Sequence, residues 1–528
     1  MIATTLMKHA RRARIGSALA LLAALLALPA THPAPVSAAD IPARPEQLTF
    51  PPLTFDPPKA ADYRATLSNG AVAYLVPDRE LPLITVHVLM RIGPDLDPAG
   101  KEGLVATMVN QLTRGGTSTR TATQLEDRVA FLGAQLESGT GGGGGGFFGG
   151  GIPIGGSESR ATLNLLSKDI DEGLALLVDC LKHPVFQEDR LTLRKDQLLQ
   201  SMKQRNDESA NIEEREFGFL MRGEGHWTNR HTTEASVKGL TRDDLAALHQ
   251  RYLGPKNFIF AVSGDFDRAT MVKKLEQAFA RWPTTGERPA APAPPAAAAA
   301  AGWFMVEKAV NQGRVSVGIR GIQRDDPDLY ALRVMNDILG GGGFTSRLVN
   351  RIRSDEGLAY QVGTRLGEGV YYAEPWRLVY QSKVRSVAYA MQIALIEVAK
   401  IRDSLVTTEE LETSRNGFVE AFPTQFATAG AIAGQLAADE LTGRYAKNPT
   451  YWADYRTKMR AVTVQDVQRA ARRLLDPAKM TYLMVGDTKE ISLGDPKHES
   501  AKLAGMAGGE PKHLPLRDPM TMKPMPNP

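Results

Sequence analysis

The sequence predicts an α+β fold made of two homologous halves, and three observations support this class. Patterns typical of helices and of strands alternate along the 528 residues. A Pro/Ala-rich stretch at 289–301 separates two parts of similar size. One motif of the first part recurs in the second at a constant offset of 222 residues, which pairs Thr241 with Thr463, Asp244 with Asp466, Pro255 with Pro477, Gly264 with Gly486 and Asp265 with Asp487.

The repeated motif corresponds to one unit of predicted structure. Each copy predicts a helix capped by threonine, a turn marked by proline and a buried strand that stops at Gly-Asp. We therefore expect an N-terminal half over 62–284, a linker over 285–301 and a C-terminal half over 302–490. The Pro-, Gly-, Lys- and Met-rich tail 491–528 lacks periodicity and is predicted to be disordered.

Length and composition exclude some classes of function. The length suggests about three or four folded units at about 100 to 200 residues each. The formal net charge of +4 is small for this length, so nucleic acid is not an expected partner. Cys180 is the only cysteine, which excludes an internal disulfide, and we interpret it as a buried, inert thiol.

The N-terminus predicts a signal peptide over 1–39. Basic residues precede the apolar run 15–28, and the small residues Ser37, Ala38 and Ala39 offer a cleavage site. A membrane anchor is the alternative, but the run is shorter than the roughly 20 apolar residues of a bilayer span. We expect export, to the periplasm or the medium, and an extended Pro-rich arm over 40–61.

The elements of the N-terminal half follow from local patterns. Asn69-Gly70 predicts a hairpin turn between two apolar strands, and Leu83 to Ile92 predicts a buried strand. Apolar residues at helical spacing predict helices over 103–114 and 123–132, the second stopping at Gly133.

A glycine-rich insertion at 139–156 interrupts these patterns. Glycine at this density predicts a flexible loop. The adjacent Phe147 and Phe148 leave open a loop that contacts a partner or a substrate.

At this point the chain resembles the insulinase/pitrilysin (inverzincin) metallopeptidase family, especially its mitochondrial-processing-peptidase-like bacterial branch. The resemblance rests on the Asn-Gly hairpin, the Gly103-Leu104 helix that ends in Gly116-Thr117, the Phe131-Leu132-Gly133-Ala134 element, and the segments 233–267 and 339–360. It covers about residues 62–488. It implies mostly antiparallel sheets flanked by helices, two α+β subdomains in each half, and halves that close like a clam around an unfolded peptide.

The resemblance also locates the family's zinc motif, His-x-x-Glu-His, on the helix after Gly103-Leu104. The motif positions are occupied here by Ala106, Val109 and Asn110, and the third ligand position falls near Gln200 or Ser201. Alanine and valine have no donor atoms, and a lone Asn amide is a poor zinc ligand. No histidine lies between 90 and 180, so we expect no metal in this chain.

Other catalytic patterns are weak or missing. His226, His231 and Glu234 form the best remaining metal-like cluster, but their spacing is irregular, and we interpret them as a surface loop with solvated histidines. The sequence contains neither a Gly-x-Ser-x-Gly elbow nor a Walker loop with its lysine.

One further family feature is present. The family's second half carries an Arg and a Tyr seven residues apart that hold the substrate carbonyl, and Arg353 and Tyr360 match that spacing. A guanidinium and a phenol both donate hydrogen bonds to an oxygen that becomes negative. Spacing alone also allows Tyr360 to face the core and Arg353 to be a solvated helix residue.

These patterns favour a non-catalytic, substrate-binding subunit of an exported heteromeric zinc peptidase. We expect a zinc-bearing paralogue as its partner, an extended peptide as the substrate, and no activity of the chain alone. The alternatives are a scaffold protein of the same fold with no role in proteolysis, and a solitary peptide-binding clam.

Overall fold

The computed structural model describes residues 54–141, 155–279, 282–283 and 285–526, with the isolated positions 44 and 48. Residues 55–528 form one compact unit. The predicted signal peptide, most of the Pro-rich arm and residues 142–154 of the glycine-rich insertion lie outside the described residues.

The described strands form two sheets. They are β1 (Arg64–Thr66), β2 (Val72–Pro77), β3 (Leu83–Met90), β4 (Gln135–Thr140), β5 (Ser159–Leu166), β6 (Phe258–Gly264), β7 (Gly302–Glu307), β8 (Gln312–Gln323), β9 (Ala359–Leu366), β10 (Glu368–Gly369), β11 (Glu374–Lys383), β12 (Thr481–Gly486) and β13 (Lys512–Leu514). The N-terminal sheet has the order β1-β2-β6-β3-β5-β4. The C-terminal sheet has the order β13-β7-β12-β8-β11-β9, and β10 pairs with β8.

The helices pack mainly on one face of each sheet. They are α1 (Ala60–Tyr63), α2 (Leu104–Arg114), α3 (Ala122–Phe131), α4 (Ile170–Lys182), α5 (Glu188–Lys203), α6 (Ser209–Arg222), α7 (Glu234–Lys238), α8 (Arg242–Tyr252), α9 (Arg268–Phe279), α10 (Leu329–Asn336), α11 (Val387–Asp403), α12 (Thr408–Ala421), α13 (Ala429–Leu441), α14 (Arg444–Lys447), α15 (Tyr451–Arg460), α16 (Val464–Leu474), α17 (Thr488–Leu493) and α18 (Leu503–Ala507). Two π-helical segments, Asp337–Gly341 and Val349–Asp355, lie in the C-terminal half.

The prediction of two homologous α+β halves is confirmed. Strands β2, β6, β3, β5 and β4 occupy the positions that β7, β12, β8, β11 and β9 occupy in the second sheet. The capping box of Thr241 with Asp244 starts α8, and that of Thr463 with Asp466 starts α16. Most neighbouring strands are antiparallel, and β2–β6 and β7–β12 are the equivalent parallel pairs. Each half is one α+β unit on a single sheet, not the two subdomains that the resemblance implied.

Each sheet is covered on its second face by a helix from the other half. Helix α13 of the C-terminal half packs on the N-terminal sheet, where Leu436 joins Tyr74 and Ile259 in one buried cluster. Helix α6 of the N-terminal half packs on the C-terminal sheet, where Phe217 joins Leu483. Because each exchange buries apolar surface of both halves, separating the halves would expose it to water.

The tail beyond residue 491 is not disordered where the structure describes it, so that prediction was wrong. Strand β13 adds to the edge of the C-terminal sheet beside β7. The guanidinium of Arg517 pairs with Glu216 at 3.3 Å, and the carbonyl of Met520 accepts a hydrogen bond from the Glu234 backbone at 2.8 Å. Backbone pairing and contacts with the N-terminal half order this segment despite its composition.

The linker between the halves is also held by hydrogen bonds. The carbonyl of Ala290 accepts one from Arg91 Nη2 at 3.0 Å, and the backbone N–H of Ala300 donates to the carbonyl of Leu220 at 2.8 Å. Segment 285–301 therefore runs along the N-terminal half before it enters β7.

Candidate functional site

Helix α2, which carries the motif positions, has a well-defined start. Gly103 adopts φ +95°, and a Cβ there would lie 2.5 Å from Thr232 Cγ2, so the position requires glycine. The carboxylate of Asp97 accepts hydrogen bonds from the backbone N–H groups of Gly103 and Val105, each at 2.8 Å. Burial raises the pKa of Asp97 to about 6, although these two donors oppose the shift.

The three motif positions do not fit a zinc ion. Val109 is completely buried in the N-terminal core, and its side chain is hydrocarbon. Ala106 is half-buried and has no donor atom, while the Asn110 side-chain oxygen accepts a hydrogen bond from Gln111 at 3.2 Å. Zinc sites need imidazole, thiolate or carboxylate ligands, and this helix presents none.

The rest of the described chain does not replace these ligands. Gln200 and Ser201 are exposed on α5 and carry no carboxylate. Within the described residues, no group of three His, Cys, Asp or Glu side chains is placed to hold a metal ion. The expectation that this chain binds no metal ion stays a prediction.

His226, His231 and Glu234, which we interpret from the sequence as residues of a surface loop, have separate partners in the structure. His226 Nδ1 lies 2.8 Å from Thr228 Oγ1, the His231 ring packs on Phe219 and Glu234 pairs with Lys238. The expectation of solvated histidines was wrong, because His226 is buried. Burial and the nearby Arg205 lower the pKa of His231 to about 4, so it is neutral at pH 7.

The structure brings Arg353 and Tyr360 together. Arg353 lies in the π-helical segment Val349–Asp355, and Tyr360 is the second residue of β9. Gly357 adopts φ +62°, which reverses the chain between them. The Arg353 Cζ atom consequently lies over the Tyr360 ring, 4.7 Å from its centroid.

Tyr360 points to solvent and not to the core. Its side chain is 77% exposed, so the core-facing alternative for this residue was wrong. The reason is an irregularity between β9 and β11, where Val362 pairs with Tyr380 but Ala359 pairs with Ser382. Such a bulge interrupts the alternation of side chains along a strand and changes the direction of one of them. Counting alternate residues from Val362 therefore could not predict the direction of Tyr360.

A third residue, Phe344, belongs to this cluster and was missed in the sequence. The Arg353 Cζ atom lies 4.7 Å from the centroid of the Phe344 ring, which is 68% exposed. We call Phe344, Arg353 and Tyr360 the aromatic–arginine stack. An aromatic residue directly after the four glycines 340–343 is the signal that could have found it.

The stack leaves the charge of Arg353 without a counter-charge. Among the described residues, no carboxylate pairs with Arg353. The nearby Asp355 pairs instead with Arg351, at 2.8 Å. A guanidinium has five N–H donors, and aromatic rings have no oxygen acceptors, so these contacts leave the donors free for oxygen acceptors.

The stack lies at a free sheet edge. Strand β9 ends the path of the C-terminal sheet and pairs within the described residues only with β11. Strand β4 has the equivalent position in the N-terminal sheet, next to α2, where Ser138 Oγ donates to the carbonyl of Val109 at 2.5 Å. An unpaired edge can accept an extended peptide as a further strand.

Known families and proteins show similarity to this chain. Residues 239–418 match the family model described as the Peptidase M16 inactive domain. An "uncharacterized zinc protease" of Mycobacterium leprae is 24% identical over 428 residues, which are 78% of this chain and 89% of that protein. These similarities support the insulinase/M16 peptidase family.

Solved structures show the M16 fold as well. The Peptidase M16 inactive domain from Pseudomonas fluorescens superposes with a TM-score of 0.68 at 23% identity, over 80% of this chain and 97% of that chain. The periplasmic protease PqqL from Escherichia coli gives 0.64 at 16% identity, over 80% of this chain and 45% of that chain. No helix among the described residues is long and apolar enough to cross a bilayer.

Proposed function

We propose that the mature chain is a substrate-binding, non-catalytic subunit of an exported heteromeric zinc peptidase. A paralogous subunit with an intact His-x-x-Glu-His motif supplies the zinc. The observation that carries the proposal is the contact between the half-buried Arg353 and the exposed Tyr360 at the free edge of β9. The Arg353–Tyr360 pair supplies donors for a peptide, whereas the described residues contain no cluster of side chains that could hold a metal ion.

The two side chains act on oxygen atoms of an extended peptide. Arg353 donates from its guanidinium edge and Tyr360 from its phenol, and both are available because neither forms a hydrogen bond or ion pair with a described residue. Two donors aimed at one carbonyl oxygen stabilise negative charge there, as in an oxyanion hole. The peptide main chain is placed by pairing with a sheet edge.

Export is part of the proposal. It is supported by the basic and apolar pattern of residues 8–28 and by the small residues before Asp40. The structural similarity to a periplasmic protease is consistent with the same compartment.

The proposal is tested by reconstitution. The mature chain alone, with or without added zinc, is expected to leave unstructured peptides intact, and mixing it with the co-purifying zinc-bearing paralogue is expected to give cleavage. Arg353→Ala or Tyr360→Phe should lower the kcat/KM of the mixture by about 10-fold to 100-fold, because each removes a donor to the developing negative charge. Arg351→Ala is the matched control, since Arg351 is on the same segment but is paired with Asp355.

The alternatives give different results. A scaffold protein would restore full cleavage even with both substitutions, because the pair would have no substrate to hold. A solitary peptide-binding clam would have no paralogous partner, so the native complex would have the mass of this chain alone or of its own copies.

A further inference from the structure

Phe344 is a large apolar residue that an ordered turn holds exposed to solvent. It lies in the 3-10 turn Gly343–Thr345, which follows the π-helical segment Asp337–Gly341. The fully buried Ser346 fixes this turn, because its backbone N–H donates to the Gly343 carbonyl at 3.0 Å and its hydroxyl donates to the same carbonyl at 2.6 Å. The exposure of Phe344 is therefore a property of the folded turn.

The contact that this turn provides is with Arg353. The rings of Phe344 and Tyr360 lie at equal distances from the guanidinium carbon, 4.7 Å each. An arginine side chain loses rotamer entropy when a ligand fixes it, and cation–π contacts with two rings offset part of that cost before the ligand arrives. Aromatic rings have no oxygen acceptors, so these two contacts leave the N–H donors of the guanidinium available, whereas a carboxylate would occupy them.

The N-terminal half contains a comparable contact between an arginine and a phenylalanine, but there the arginine is paired with a carboxylate. Helix α3 ends before Gly133, as the π-helical segment ends before Gly357, and each is followed by the free-edge strand of its sheet. The Arg128 Cζ atom lies 4.6 Å from the centroid of Phe131, whose side chain is 76% exposed. However, Arg128 Nη2 donates to Glu172 at 2.6 Å, so its charge is satisfied.

We propose that Phe344 is a positioning residue of the peptide site. It holds the Arg353 guanidinium against Tyr360 so that the free N–H donors face a main-chain oxygen of an extended peptide bound at β9. This inference rests on the proposed function, and it adds a residue that acts through Arg353 and not through its own contact with the reacting bond.

The test is a double-mutant cycle on peptide binding by the full mature chain. The probe is a fluorescently labelled, unstructured peptide of mixed sequence, and binding is followed by anisotropy. Phe344→Leu keeps an apolar side chain but removes the ring, and it should raise the Kd about fivefold, whereas Phe344→Trp should keep it within about twofold. In the Arg353→Ala background, Phe344→Leu should change the Kd by less than about twofold. Phe131→Leu is the matched control and should have no effect.

A second readout needs no ligand. Phenylglyoxal modifies arginine side chains, and peptide mass spectrometry gives the rate at Arg353 and, as an internal reference, at Arg351. Phe344→Leu should speed modification of Arg353 by about threefold and leave Arg351 unchanged, because only Arg353 loses an aromatic cover.

The outcomes separate this inference from the proposed function. If Arg353→Ala weakens binding but Phe344→Leu does not, or if the two effects simply multiply in the double variant, Phe344 does not act through Arg353 and the inference is overturned. If Arg353→Ala itself has no effect, or the wild-type chain binds no peptide, the proposed function fails. The phenylglyoxal rates then still decide whether Phe344 holds the guanidinium.

Discussion

Replacing Val109 by glutamate is expected to destabilise the fold strongly, although glutamate is the residue that the family's zinc motif has at this position. Val109 is fully buried among the side chains of the N-terminal core. An unpaired carboxylate there would lose its hydration without gaining a partner, which should lower the free energy of unfolding by about 4 kcal/mol or more. A folded domain has only about 5–15 kcal/mol in total.

Urea denaturation followed by circular dichroism measures this effect. Ala106→Glu is the matched control on the same helix, because Ala106 is only half-buried, and it should change the free energy of unfolding by about 1 kcal/mol or less. A Val109→Glu variant as stable as the wild type would show that the position still opens onto a cavity or solvent. The account of a motif position absorbed into the core would then be wrong.

Replacing Glu213 by alanine is the second change with a large expected effect. Glu213 is buried on α6, where that helix crosses onto the C-terminal sheet. Its carboxylate accepts hydrogen bonds from Ser316 Oγ and from Arg377 Nη2, the latter at 3.0 Å, and lies 3.8 Å from Arg314. Its loss leaves two partly buried arginines beside each other, which should cost about 3–5 kcal/mol.

The neighbouring residue supplies the control. Glu214 also pairs with Arg377, but its side chain is 73% exposed, so Glu214→Ala should cost about 1 kcal/mol or less. Thermal and urea unfolding of both variants make the comparison. Equal losses in the free energy of unfolding would mean that the buried Glu213 carboxylate contributes no more than a surface ion pair. The apolar contacts of α6 alone would then hold this helix on the sheet.

The local elements and the duplication were predictable because their signals are local. Asn69-Gly70 forms the turn of the hairpin β1–β2, and the threonines at 241 and 463 cap equivalent helices. The periodicity of α6 and α13 shows an apolar face but carries no information about which sheet covers it. The exchange of these helices between the halves therefore could not be predicted.

The candidate site was predictable only in part. The family resemblance located Arg353 and Tyr360, yet the direction of Tyr360 depends on a bulge that the sequence does not mark. Phe344 was hidden because a run of glycines predicts a loop and says nothing about an ordered turn. Strand β13 was missed for a similar reason, since Lys512–Leu514 has only three residues and takes its order from β7.

The metal content of the purified mature chain tests the central claim most directly. Inductively coupled plasma mass spectrometry, combined with a peptide-cleavage assay in the presence and absence of a chelator, gives the zinc stoichiometry and the activity of the same sample. We expect zinc far below one ion per chain and no chelator-sensitive cleavage. One zinc per chain accompanied by proteolysis that a chelator abolishes would contradict it.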